Sequence, residues 1–237
     1  MPNNKIFHSV VFITLTMLNA SPAFAASPVK TEHFRIMAFG GSVPQEKLKK
    51  IGQDLESAYA DILSFLGVDP YKSGKIDISV HLTPQSGRSL RASAGEAHID
   101  LDADFNDTEL LRHELAHIVI HKPLPSAPRW FHEGLAQYIG SGDIRQGKWD
   151  PSPPFKDFSF TRLEARFGAS RSEDNAYYYA WSIVSYLMDV YGNEKLKLIF
   201  KESGFFKDRF AKAYGAGLKD IEQKADYIFG KYKSNAN

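Results

Sequence analysis

His113-Glu114-Leu115-Ala116-His117 sets two imidazoles four residues apart, with a carboxylate next to the first. On an α-helix this spacing puts both rings on one face, ~6 Å apart along the axis, so both reach a single metal ion. Glu114 is turned ~100° from His113, near enough to touch a metal-bound water without ligating the metal, which is where a general base belongs. Zinc in a hydrolytic site takes three protein ligands and keeps one position for water, and two His with one carboxylate form a standard set. His121, His132 and Glu133 are the candidates for the third place. His121 continues the i, i+4 series but lies ~12 Å along the axis from His113, whereas two nitrogens on one zinc lie within about 4 Å, so it is a poor ligand. The extended pattern with Gly three and His six residues after the second His is absent, because Ile120 and Pro123 stand there. Glu133 is separated from His117 by 15 residues; this spacing favours it over His132, and no geometry read from the sequence decides between the two neighbours.

The motif needs a helix, and the surrounding residues supply one. Asn106 and Glu109 can form a capping box, and Leu110, Leu111, Ile118 and Val119 are apolar neighbours. A Pro-containing loop over 121–129 leads to a second, aromatic-rich helix over 130–138 that carries Glu133. Upstream, residues 33–39 read as a strand, and Pro44 opens a helix with Leu48, Ile51, Leu55, Tyr59, Ile62 and Leu66 on one face, stopped at Gly67. Residues 75–83 alternate, with Ile76, Ile78, Val80 and Leu82 on one side, and a second strand is expected near 95–101. From about Asn106 the pattern is helical, apart from the loop at 121–129 and a Pro/Gly-rich stretch at 141–159. Strand, helix, strands, then helices make an α+β fold, a small mixed sheet followed by a helical half. The tail after Tyr232 is expected to fray.

His-Glu-Leu-Ala-His, then Trp130-Phe131-x-Glu133-Gly134-Leu135-Ala136, then Tyr179-Ala180-Trp181-Ser182 with Tyr186-Leu187 and Tyr191-Gly192, resembles the peptidase MA-like branch of the gluzincin metallopeptidases over roughly residues 95–230. The resemblance implies a zincin-like fold, zinc held by His113, His117 and Glu133, and Glu114 as general base. It also implies a strand beside the motif helix along which an extended peptide lies, here residues 95–99, with Gly95 and Ala97 as substrate-binding positions. Such sites place a Tyr or His donor opposite the base to stabilise the oxyanion. Of Tyr177, Tyr178 and Tyr179, Tyr179 aligns best with the family's Tyr-Ala-x-Ser stretch; the competing reading is that all three pack a helix beside Trp181 and Tyr186. This chain departs from the family in its short spacing before Glu133 and in having Gln137 where an acidic residue follows four positions after Glu133. His33, His81 and His98 stand singly on strands and read as ordinary surface or core residues, and residues 194–197 as a solvated helix face.

The whole chain agrees with this chemistry and excludes other classes. It has 237 residues, 29 Lys+Arg against 28 Asp+Glu, 43% hydrophobic residues and no cysteine, which removes disordered, collagen-like and disulfide-scaffold readings. A near-zero net charge gives no long-range field for nucleic acid or an anionic membrane. At this size one domain, here residues 26–237, buries roughly 70% of its unfolded surface. Residues 1–25 read as a signal peptide: Lys5 is the positive start, residues 10–18 are an apolar run too short to span a bilayer, and Ala23-Phe24-Ala25 is a small-x-small cleavage site. Cleavage before Ala26 makes the expected product periplasmic or secreted, without a stable membrane anchor. The function expected is hydrolysis of peptide bonds with Zn2+ as cofactor and a peptide or protein as partner. The alternative is a non-catalytic, zinc-stabilised module that binds peptide or cell wall.

Overall fold

The computed structural model describes residues 27–39, 43–70, 74–81, 90–92, 98–102, 107–141, 157–167 and 173–233. The leader at 1–25 and most of the Pro/Gly-rich stretch at 141–159 lie outside them, as do Gly95, Ala97 and residues 234–237. The fold is α+β, with a small mixed sheet and a larger helical half.

The sheet half starts from alternation. In β2 (Phe34–Phe39) Phe34, Ile36 and Ala38 are buried, and in β3 (Ile76–His81) Ile76, Ile78 and Val80 are. Joining these parallel strands requires a crossover, supplied by α1 (Gln45–Leu66), whose Leu48, Leu55, Tyr59, Ile62 and Leu66 face the core. Pro44 precedes the first turn. Gly67 ends the helix in the left-handed region at φ 63°, its N–H bonded to the Leu63 carbonyl. β5 (His98–Asp102) pairs parallel with β3. Two short antiparallel strands, β1 (Val29–Lys30) and β4 (Leu90–Ala92), close the edges, giving the order β1-β2-β3-β5-β4. Neither edge is visible in the sequence, since two or three residues carry no periodicity.

The helical half follows: α2 (Thr108–His121), α3 (Arg129–Ser141), α4 (Phe160–Arg166), α5 (Glu173–Tyr191), α6 (Asn193–Lys201), α7 (Phe206–Tyr214), α8 (Leu218–Gln223) and α9 (Ala225–Lys233). The cap of α2 is one residue later than the expected Asn106: the Asp107 side chain accepts from the Leu110 N–H at 2.9 Å. α3 is the central helix, packed on α2 and on α5, and two glycines set how close it comes. A Cβ on Gly140 would stand 2.8 Å from the Glu109 carbonyl oxygen and 2.9 Å from His113 Cβ; one on Gly134 would stand 2.4 Å from the Ala180 carbonyl oxygen. Backbone this close to backbone leaves no room for a side chain. Buried residues of both halves form one continuous apolar cluster, in which Trp130 and Phe131 pack against Phe206.

Candidate metal centre

α2 presents His113 and His117 from successive turns, their rings 4.7 Å apart at 83° and their Nε2 atoms 3.1 Å apart. α3, held against α2 at Gly140, brings Glu133 across the interface: Oε2 lies 3.2 Å from His117 Nε2 and 3.7 Å from His113 Nε2. Three donor atoms thus converge with edges of 3.1, 3.2 and 3.7 Å. Ligand atoms around one tetrahedral zinc, at 2.0–2.2 Å from it, sit about 3.3 Å apart, so the group could hold a metal ion. The side chains are 12%, 20% and 13% exposed respectively, enough for a solvent molecule to approach.

The electrostatics favour donors that are ready to ligate. Burial, helped by the neighbouring His117, pushes His113 down to about 4 against a smaller opposing pull from Glu133, so its imidazole is neutral at pH 7. Burial alone would push Glu133 up; His117, His113 and Arg129 outweigh it and hold the carboxyl below the usual glutamate range.

His121 and His132, the other two candidates for the third place, sit together elsewhere. Their rings are 6.1 Å apart, and His132 directs Nε2 at the Leu124 carbonyl oxygen, 3.2 Å away. Burial and His117 lower His132 to about 4, so this ring is a neutral donor to backbone. Glu114 is half-buried on α2 immediately after His113.

The three tyrosines of α5 separate by helical phase. The face of α5 that meets α3 carries Ala180 and Val184, the residues against Gly134, and Tyr177 precedes them by three and seven positions. Tyr177 is half-buried and hydrogen-bonds the Arg129 side chain. Tyr179 points ~200° around the helix from Tyr177. Only 2% exposed, it packs edge-on against Phe229 at 4.6 Å, and burial raises its hydroxyl pKa. Tyr178 is equally buried and donates to the Phe229 carbonyl at 3.4 Å. The expected donor Tyr179 therefore belongs to the core, and Tyr177 is the member of the trio that adjoins Glu133 through Arg129.

Two contributors carry too little sequence signal to be named from it. Arg129 sets Nε 3.4 Å from Glu133 Oε1, a pairing whose only sequence signal is the i, i+4 spacing on a shared helix. Glu164 of α4 accepts from the N–H groups of Arg129 at 2.7 Å and Trp130 at 3.1 Å and so caps α3; a partner 35 residues away leaves no local pattern.

The strand expected beside the motif helix is partly described. Ile99 on β5 pairs with Ile78 of β3 on one side and Ala92 of β4 on the other, so both of its edges are taken. Gly95 and Ala97 lie outside the described residues. The isolated histidines have local roles: His33 bonds Glu56, and His98 Nε2 lies 3.2 Å from Ser79 Oγ and 3.0 Å from Asp100 Oδ1. His81 stands opposite Asp102 at the end of β3.

No protein-family model and no curated protein sequence matches the chain.

Proposed function

We propose that this protein is a zincin-like metallopeptidase in which His113, His117 and Glu133 bind Zn2+ and Glu114 acts as general base on a peptide bond. The observation that carries the reading is the convergence of two imidazole nitrogens and one carboxylate oxygen within 4.8 Å of one another on the helix pair α2 and α3. Two imidazole nitrogens and one carboxylate oxygen suit a borderline-soft divalent cation, and the three donors that converge among the described residues are one fewer than a structural zinc site fills. Bound zinc supplies Lewis acidity, polarising a carbonyl and making water acidic enough to be used near pH 7. Glu114 takes the proton of the attacking water and delivers it to the leaving amine, one carboxylate serving both directions of transfer. Tyr177, adjoining Glu133 through Arg129, replaces Tyr179 as the candidate oxyanion donor. An extended substrate adds to the sheet at β4, the edge on the β5 side, since β5 itself is paired on both sides at Ile99. The same reading makes residues 1–25 an export signal, and N-terminal sequencing of exported material should then begin at Ala26.

Glu114→Gln tests the reading. The amide keeps the shape of the side chain but cannot take a proton, so zinc content should be unchanged while cleavage of an unbiased peptide library disappears. Full cleavage by the variant contradicts the mechanism.

A further inference from the structure

Resting on the metal reading above, we propose that Arg129 is a positioning residue that commits Glu133 to ligation through one oxygen and so keeps a coordination position open. The two oxygens of Glu133 have different surroundings. Oε2 faces the two histidine nitrogens at 3.2 and 3.7 Å, and Oε1 faces Arg129 Nε at 3.4 Å. Two-oxygen ligation would swing Oε1 away from the guanidinium and toward the histidines, adding a fifth donor beside the water and crowding the position that substrate needs.

Arg129 is itself confined. Its Cζ lies 5.0 Å from the centre of the Phe167 ring, Tyr177 hydrogen-bonds its side chain, and Tyr177 meets Phe167 edge-on at 5.3 Å. The backbone below it is fixed by the Glu164 carboxylate on the first N–H groups of α3. A guanidinium held by an aromatic face and a tyrosine, on a backbone that is itself capped, is a stop for one carboxylate oxygen even though 43% of the side chain remains exposed. It also weakens Glu133 as a donor, since a positive charge beside a cation site repels the incoming ion. Arg129 therefore exchanges affinity for geometry. A merely structural residue makes no such exchange: its loss lowers affinity.

The test replaces zinc with Co2+, whose visible bands are intense in a four-coordinate site and several-fold weaker in a five-coordinate one. Wild type should give the intense spectrum. Arg129→Met should bind Co2+ as tightly or up to about ten-fold more tightly, with bands several-fold weaker. Arg129→Lys, which keeps the charge, should recover the wild-type spectrum, and Tyr177→Phe should shift it in the Met direction to a smaller extent without altering the residue on α3. A saturated Arg129→Met protein with the wild-type spectrum overturns the proposal. So does an Arg129→Met protein that loses Co2+ while its metal-free melting is unchanged, because Arg129 then serves to hold Glu133 in place. A wild-type chain that binds no Co2+ at all overturns the metal reading first and this inference with it.

Discussion

Glutamate meets histidine in both halves of this protein, with opposite results. In the sheet half, Glu56 of α1 is fully taken up by the segment that leads into β2: Oε1 accepts from the His33 backbone N–H and Oε2 from its Nδ1, each at 2.7 Å, and the Thr31 side chain adds a further hydrogen bond. In the helical half, Glu133 gives one oxygen to Arg129 and aims the other between two imidazoles. The first arrangement is closed, a tie between the start of β2 and the middle of α1. The second leaves three potential ligand atoms converging on one place. Residue type does not separate a structural tie from a candidate metal centre; the number of converging donors does, and two packed helices are what bring in the third.

The largest expected effect breaks this contrast at its carboxylates. Glu133→Ala should weaken zinc binding by roughly 10²–10³-fold, one ligand's share of a binding free energy of ~10–16 kcal/mol, and should erase the rise in melting temperature that zinc gives wild type. Glu56→Ala should lower the metal-free melting temperature and leave that rise intact. His121→Ala and His132→Ala should also keep zinc stoichiometry near one, since neither is among the residues whose ligand atoms converge and His132 Nε2 is engaged with the Leu124 carbonyl. A Glu133→Ala protein that retains zinc while His132→Ala loses it would replace the proposed site by a three-histidine one.

Next comes the helix spacing. Gly134→Ala puts a Cβ 2.4 Å from the Ala180 carbonyl oxygen, where only backbone movement relieves the clash, and should cost about 2–3 kcal/mol of stability in a denaturant titration. Because Glu133 moves with α3, its zinc affinity should fall as well, whereas an equally destabilising change confined to α1 should spare it.

The tyrosines sharpen the contrast within one helix. Tyr177→Phe should lower turnover by roughly 10²-fold, the loss expected for one oxyanion donor. Tyr179→Phe should leave turnover near wild type and act on stability alone. Reversal of this order would restore the donor suggested by alignment.

The smallest effect is a pH dependence. Burial tends to raise the Glu56 carboxyl, but the hydrogen bonds from Thr31 and His33 and the charge of His33 outweigh it and hold it below the ordinary glutamate value. A depressed carboxyl stabilises the fold above its unfolded pKa, near 4.3, and loses that contribution as pH falls through the lower folded value. Glu56→Gln should therefore be less stable than wild type by about 1 kcal/mol at pH 7, with the gap closing below pH 4. A gap that persists at pH 2 would mean that the charge is not what Glu56 contributes.

The contrast also explains what is legible in the sequence. β2, α1 and β3 follow from periodicity, and α2 from the motif within an apolar pattern, because these signals are local. His113 and His117 share a face by helical arithmetic alone, so the amino-acid spacing suffices to name the pair. Choosing Glu133 over His132 requires the crossing of α2 and α3, set by the contact at Gly140, a distance no single-helix argument contains. The choice among the tyrosines has the same origin: Tyr177 and Tyr179 are two residues apart, and only the packing of Ala180 on Gly134 shows which side of α5 meets α3. Arg129 and Glu164 act through tertiary placement, as do the short strands β1 and β4, and none of them leaves a periodic trace.

The most direct test of the central claim is the metal content of the purified wild-type chain, measured by native mass spectrometry after equilibration with a stoichiometric amount of zinc. One zinc per chain, lost in His113→Ala, His117→Ala and Glu133→Ala alike, is the expected result. A wild-type chain that carries no zinc, or one whose zinc survives all three substitutions, would contradict the assignment of this donor triangle as a metal centre.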